Sequence, residues 1–291
     1  MKNASPSMFR DYFELTKPRI TMLILVCAAV GYWFGCGASF HWPILAHALL
    51  GTALLASGTS TLNQWYEVES DAKMHRTRRR PLPAGRIKRV HGLAFGLTLS
   101  ATGFADLWFA TNLLTASLGL FTLITYLLLY TPLKQRSPLC TTVGAIPGAM
   151  PPLIGYAAAG HGLDLRALAL FIILFVWQFP HFDAIAWIYR EDYARGGIRM
   201  LPVIDLDGNA TIRRIVLCSL LMIPISLIPR FLGMTGMPYA AVAIAAGLGI
   251  VSFGARLGLE RSVRNARALL LATVAYLPAV LCVMVWDRRP L

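Results

Sequence analysis

PILAHALLGTALLASGTSTLNQWYEVESDAKMHRTRRRPLP, residues 43–83, changes character at about position 63. The first half is an almost unbroken run of small and apolar residues. The second packs three carboxylates and six basic side chains, His75 included, into one short stretch. A hydrocarbon core of ~30 Å takes ~20 helical residues to cross, and 43–62 is such a run. Others recur at 20–38, 90–110, 113–130, 140–159, 166–182, 211–229, 237–255 and 267–286, nine in all. The chain as a whole agrees. Of its 291 residues 56% are hydrophobic and only 14% charged, a balance that belongs to membrane proteins and not to soluble domains.

The expected fold is therefore all-α, a polytopic membrane protein with about nine transmembrane helices. No large polar block and no short repeat interrupts the pattern, so residues 1–291 are expected to form a single integral-membrane domain. The fifth segment contains GAIPGAMPPLIGY at 144–156, a density of Pro and Gly that kinks or breaks a helix. Five cysteines are scattered with no Cys-x-x-Cys pair, which points to packing roles and not to a disulfide or zinc site.

Charge orients the chain. With nine spans, the N-terminal tail and the loops after spans 2, 4, 6 and 8 share one side and hold 23 of the 27 Lys and Arg residues. Only Arg166, Arg230, Arg288 and Arg289 fall on the other. The positive-inside rule then places the N-terminus in the cytoplasm and the C-terminus outside. Short basic loops beside a membrane account for the formal net charge of +13 and for lipid as a partner, so no nucleic acid is implied. The short polar N-terminus, with no cleavable signal and no Arg- and Ser-rich presequence, favours a bacterial inner membrane.

Carboxylates do not follow that rule, yet eight of the fourteen fall in the loops after spans 2 and 6. If the second span continues past the membrane surface, Asn63, Glu67 and Asp71 recur every fourth residue and share one face, while Glu69 points elsewhere. Oxygen side chains in such a row suit Mg²⁺, which binds through one or two carboxylates while substrate phosphates supply other ligands. The competing reading is an exposed helix end laced with solvated charge. Against it, Asn63 and Glu67 lie close to hydrocarbon, where ionisable groups are costly and face a cavity or pathway. In HRTRRRPLPAGRIKR, 75–89, Arg76 and Arg80 lie one turn apart if helical, and a guanidinium fork fits phosphate oxygens. The plainer reading of that run is a patch that sets topology and binds lipid headgroups. His181 ends the sixth span, and its imidazole can ligate iron or act as a base near neutral pH, or serve as a hydrogen-bonded structural residue.

The Asn-x-x-x-Glu-x-x-x-Asp run followed by MHRTRRRPLP resembles the first signature of the UbiA superfamily of intramembrane prenyltransferases, usually Asn-x-x-x-Asp-x-x-x-Asp. It is nearer to the haem-farnesylating branch. LTKPRI at 15–20, YTPLKQRSP at 130–138 and WQFPHFDAIAWIYREDYARGGIRMLPV at 177–203 extend the likeness from about residue 12 to the last span. The resemblance implies transfer of the farnesyl group of farnesyl diphosphate to a vinyl carbon of haem B, with water adding to give haem O. By the same resemblance Asn63, Glu67 and Asp71 hold Mg²⁺, and Arg76, Arg80 and Lys134 contact the diphosphate. His181, Asp183 and Glu191 are candidates on the haem side, haem B being substrate and not cofactor. A downstream haem-modifying enzyme or a terminal oxidase assembly is the implied protein partner. Three positions depart from the branch: Glu67 replaces an Asp, Asp183 stands where an aromatic is common, and Cys140 where Asn is common. Glu191 lies two turns beyond Asp183, so both face one cavity if that helix extends.

Two other readings compete. A prenyltransferase for an aromatic acid or quinone precursor predicts a second aspartate-rich motif, and 177–203 lacks it. A transporter predicts polar groups near mid-membrane in broken helices, for which Asp106 and the fifth span are the only candidates.

Overall fold

The computed structural model describes residues 8–160 and 162–289, so Lys2 of the N-terminal tail counted in the orientation argument falls outside the described residues. A short helix α1 (Met8–Leu15) precedes α2 (Pro18–Gly35), α3 (Trp42–Tyr66) and α4 (Val68–Lys73). After a stretch of turns come α5 (Arg89–Ala110) and α6 (Leu113–Ile124), which passes through a π-helical turn, Thr125–Tyr130, into α7 (Thr131–Leu133). Next are α8 (Cys140–Ala149), α9 (Pro151–Ala158), α10 (Leu165–Ile188), α11 (Arg190–Arg195) and α12 (Leu201–Ile204). The chain closes with α13 (Asn209–Phe231), α14 (Met237–Leu259) and α15 (Val263–Trp286).

Eight of these helices are long and apolar enough to cross a membrane, counting α6 to α7 as one. The fifth expected span is present as two pieces, α8 and α9, broken at Met150 where Pro151 and Pro152 begin a new helix. The all-α membrane architecture thus holds, with eight unbroken spans and one broken one. The break gives each half its own neighbours: α8 packs on α10 and the π-helical turn, α9 on α2 and α6.

Local chemistry sets several helix starts. Pro18, Pro43 and Pro238 occupy first-turn positions, where the missing N–H has no helical partner to lose. Asn112, Asp164 and Ser262 cap α6, α10 and α15 by accepting from backbone N–H groups two or three residues on.

Packing between spans rests on small residues. A Cβ placed on Gly31 would sit 2.0 Å from the Pro152 carbonyl oxygen, and one on Gly155 would sit 1.8 Å from that of Ala28. The α2 and α9 backbones are therefore in direct contact, the close approach that small residues permit where lipid offers no hydrophobic drive to associate. Gly58 and Gly103 do the same for α3 against α5.

At one end of the bundle the connecting segments bind one another. Ser70 Oγ donates to the Gly196 carbonyl at 2.6 Å, and the Arg199 N–H donates to that of Lys134 at 2.7 Å. At the opposite end Asp287 accepts from the Gly236 and Tyr239 N–H groups at 2.7 and 3.0 Å, and Arg288 donates to Gly37 at 2.8 Å.

Two placements differ from the sequence expectation. The sixth span does not end at residue 182: α10 runs on to Ile188, because AIAWI restores the apolar pattern and Pro180 is accommodated inside the helix. Asp183 therefore lies within a spanning helix, not in the loop after it, and His181 stands two turns before the helix end. The Arg76–Arg80 segment is not helical either, since residues 74–80 fold as turns and bends.

Filling a backbone contact between α2 and α9 forces the helices apart, at a cost of ~1–3 kcal/mol for overpacking. Gly155→Val and Gly31→Val should each lower the thermal unfolding midpoint of the detergent-solubilised protein by several degrees, read by tryptophan fluorescence. Gly249→Ala, where an added Cβ meets nothing within 4 Å, should leave it unchanged.

Candidate active site

The face expected at the end of α3 forms, although the helix is interrupted. Glu67 leaves helical geometry with φ −89° and ψ 9°. The i to i+4 pattern nevertheless carries through, with the Glu67 N–H bonded to the Asn63 carbonyl at 3.0 Å and the Asp71 N–H to that of Glu67 at 2.8 Å. Asn63, Glu67 and Asp71 are 1%, 8% and 1% exposed, whereas the Glu69 side chain is 85% exposed.

Each of the three oxygens meets a cation from elsewhere. Lys134 Nζ donates to Glu67 Oε1 at 2.8 Å, Arg80 Nη1 to Asp71 Oδ2 at 2.7 Å, and Lys17 Nζ to Asn63 Oδ1 at 3.3 Å. The Asn63 amide donates to Thr131 Oγ1 at 3.1 Å, tying α3 to α7. Burial alone would lower the Lys134 ammonium, but the Glu67 carboxylate overrides it and holds the group well above its usual value. Lys17 goes the other way. Desolvation, followed by the Arg80 and Lys134 charges, pulls it down to about 7. Lys17 is also the sole non-glycine residue at positive φ among the described residues, at 48°, a strained conformation directly before Pro18 that costs roughly 1–3 kcal/mol. Sequence reading counted Lys17 only as a loop charge within LTKPRI. The signal missed was a lysine immediately before the proline that starts a span.

Arg76 and Arg80 part company. Turn geometry sends Arg80 to Asp71, while Arg76 reaches across to α11, donating to Tyr193 Oη at 3.2 Å and lying over the Tyr189 and Tyr193 rings. Asp192, which sequence reading did not single out, holds this arrangement. Its carboxylate accepts from the His75 N–H at 2.8 Å, the Arg76 N–H at 3.1 Å and Arg195 Nη2 at 2.6 Å. Burial opposes its ionisation, yet these donors keep it below the usual carboxylate range.

On α10, the His181 ring stacks on Trp177 at 4.6 Å between centroids, and its Nδ1 lies 3.0 Å from Thr273 Oγ1 of α15. The Thr273 hydroxyl donates its one proton to the Leu270 carbonyl at 2.7 Å, so it accepts from Nδ1–H. Nε2 is left with a free lone pair, the form that ligates iron or accepts a proton. Asp183 and Glu191 do not face one cavity. Asp183 is fully buried and bound through both oxygens by Arg214 of α13, with Nε at 2.7 Å, whereas α10 ends at Ile188 and Glu191 is exposed on α11. Cys140 is buried in an apolar cluster with Met74 and Met200, and Asp106 pairs with His47 at 2.9 Å.

A model of the UbiA prenyltransferase family matches residues 24–285. The chain belongs to this family. Among curated relatives, a protoheme IX farnesyltransferase of Solibacter usitatus is 53% identical, covering 96% of this chain and 99% of that one. Among solved structures, a digeranylgeranylglyceryl phosphate synthase superposes with a TM-score of 0.80 at 16% identity over 96% of this chain and 98% of its own. A UbiA homolog from Archaeoglobus fulgidus, bound to GPP and Mg²⁺, gives 0.68 at 17% identity over 94% and 99%. The structural likenesses show the fold, and the chain is an integral membrane prenyltransferase.

The donor set of this UbiA prenyltransferase fits Mg²⁺. Asn63, Glu67 and Asp71 offer only oxygen, and among the described residues no group of three or more His, Cys, Asp and Glu side chains gathers that could hold a metal ion. Two carboxylates and an amide leave coordination positions for phosphate and water, as Mg²⁺ requires.

Removing the Asp192 carboxylate orphans two backbone donors and frees the 74–80 turns, a loss of ~1–3 kcal/mol. Limited trypsinolysis of Asp192→Ala should cut between Arg76 and Arg80 several-fold faster than in the parent protein. Asp205→Ala, which removes a carboxylate bound locally to Thr211, should not change cleavage there.

Proposed function

We propose that this chain transfers the farnesyl group of farnesyl diphosphate to a vinyl carbon of haem B, with addition of water, giving haem O and diphosphate. The observation that carries the chemistry is the row of buried oxygens at Asn63, Glu67 and Asp71, each beside a side-chain cation at the head of a membrane bundle. Haem B as acceptor follows from the full-length likeness to the Solibacter enzyme. The membrane is a bacterial inner membrane, with the Asn63 face and both motif loops in the cytoplasm and the C-terminus outside, as the basic residues direct.

In the reaction the allylic C–O bond breaks with its electron pair going to the diphosphate. The farnesyl carbon then bonds to the vinyl group, and water adds to the resulting cation with loss of a proton. Mg²⁺, when bound, neutralises diphosphate charge as it grows, and Asn63, Glu67 and Asp71 are the residues to hold it. Arg80 and Lys134 supply preorganised positive charge at the same place, with no reorganisation during the step. Tyr126 and Tyr130 flank Lys134 and help keep bulk water from the reacting carbon. His181 Nε2 is the group available to the iron or to the proton that leaves the added water.

The test of the reading is purified protein with haem B, farnesyl diphosphate and Mg²⁺, with the more hydrophobic farnesylated haem followed by chromatography. No haem product beside active prenyl transfer to a phenolic acid would replace it with the quinone-type reading. Within that assay Glu67→Gln and Asp71→Asn, which keep shape but remove charge, should reduce turnover by at least about a hundredfold. Glu69→Gln, exposed and off the shared face, should stay near the parent rate. Equal activity in all three would remove the metal assignment.

His181 separates the two substrates. His181→Ala should leave the affinity for a farnesyl diphosphate analogue, measured by calorimetry, nearly unchanged while weakening haem binding or stopping turnover. Asp71→Asn should do the reverse.

A further inference from the structure

An open cleft of about 600 Å³ lies at the cytoplasmic end of the α10/α15 seam, a volume typical of small-molecule sites. Three arginines, Arg76, Arg190 and Arg195, two carboxylates, Glu191 and Asp192, and Trp187, Tyr189 and Val263 line it. Its guanidiniums are not equivalent. Arg195 is engaged by Asp192. Arg76 meets the Tyr193 hydroxyl and two tyrosine rings, and Arg190 meets the Trp187 ring at 5.5 Å. Neither has a carboxylate partner among the described residues. Asp192 is spent on Arg195 and two backbone N–H groups, and Glu191 forms no ion pair among the described residues, so the cleft presents two forked cations held by no carboxylate, beside flat aromatic surface.

The seam beneath it contains His181. Ile188, the last residue of α10 and part of the cleft wall, is seven residues beyond His181, and Val263 ten before its partner Thr273. At 1.5 Å per residue both routes rise about 10–15 Å from the imidazole to the cleft. The arrangement thus stacks an apolar wall with an imidazole lone pair inside the membrane under two unpaired guanidiniums at the water interface. Haem B has the matching polarity: an apolar macrocycle with iron at its centre and two propionates on one edge.

From this the geometry points to the cleft as the seat of the two haem propionates, with Arg76 and Arg190 as their partners, so that Arg76 serves the haem and not the diphosphate. This rests on the reading that haem B is the acceptor. It orients the ring with its carboxylate edge in water and its iron toward His181, as the guanidinium fork and the low cost of placing charge at the interface both favour.

The test titrates the full-length detergent-solubilised protein with haem B and with haem B dimethyl ester, whose propionates are uncharged, following Soret absorbance. The parent protein should bind haem B at least about tenfold more tightly than the ester. Arg76→Gln and Arg190→Gln should each shrink that preference to about threefold or less by weakening haem B alone, with the KM for farnesyl diphosphate unchanged. Equal binding of haem B and ester by the parent protein overturns the proposal without needing any variant. So does an Arg76→Gln protein that keeps the preference while its KM for farnesyl diphosphate rises, which would return Arg76 to the diphosphate. A parent protein that binds neither haem nor ester and forms no haem product fails at the earlier reading, a distinguishable outcome.

Discussion

Two carboxylates at the head of a membrane bundle set the terms for the rest of the structure. Glu67 and Asp71 are almost wholly enclosed, and each buried ion carries a desolvation penalty of roughly several kcal/mol that a hydrogen-bonded counter-ion must offset. Lys134 and Arg80 do so from separate segments. The pairs are consequently poor evidence for stability and good evidence for function: an apolar packing would be cheaper, and what they retain is concentrated, opposed charge at one spot beside hydrocarbon. Lys17, strained and with its ammonium drawn toward neutrality, adds a third positive group to the same spot.

That concentration of charge requires three connecting segments to meet, and the packing of the spans makes this possible. Glycine contacts bring α2 against α9 and α3 against α5 at backbone distance, and α2 also packs on α3, with Lys17 and Asn63 within reach at one end of the bundle. The break at Met150 lets the fifth crossing contact α10 with one half and α2 with the other. Asp192 then fastens the 74–80 turns to α11 through backbone donors. Arg80 and Arg76, four residues apart, are thereby directed to different places, one to Asp71 and one to the cleft above the His181 seam.

The fold was readable from residue order where the physics is local. Hydropathy over ~20 residues and the ends of helices depend on near neighbours, so 43–62 and its counterparts announced the crossings, and GAIPGAMPPLIGY announced the broken one. The shared face of Asn63, Glu67 and Asp71 was equally local, since a four-residue period survives the irregular geometry at Glu67. The same logic ended the sixth span too early, at 182, although the apolar pattern resumes beyond Asp183 and carries α10 to Ile188.

Partnership was another matter. Lys134 and Glu67 are 67 positions apart, Lys17 and Asn63 46, Asp192 and His75 117, and no periodicity links residues so distant. The turns at 74–80 carry no period at all, so a helical assumption placed Arg76 and Arg80 on one face when they point apart. Asp183 read as a loop acid and proved to be the buried partner of Arg214. Sequence alone therefore determined that this is a membrane prenyltransferase and where its oxygen-bearing face begins. Only the tertiary structure decided which cation meets which carboxylate, because a charge is matched by what lies nearest in space, be it Lys134 from 67 positions away or Arg80 turned back on Asp71 by the 74–80 turns.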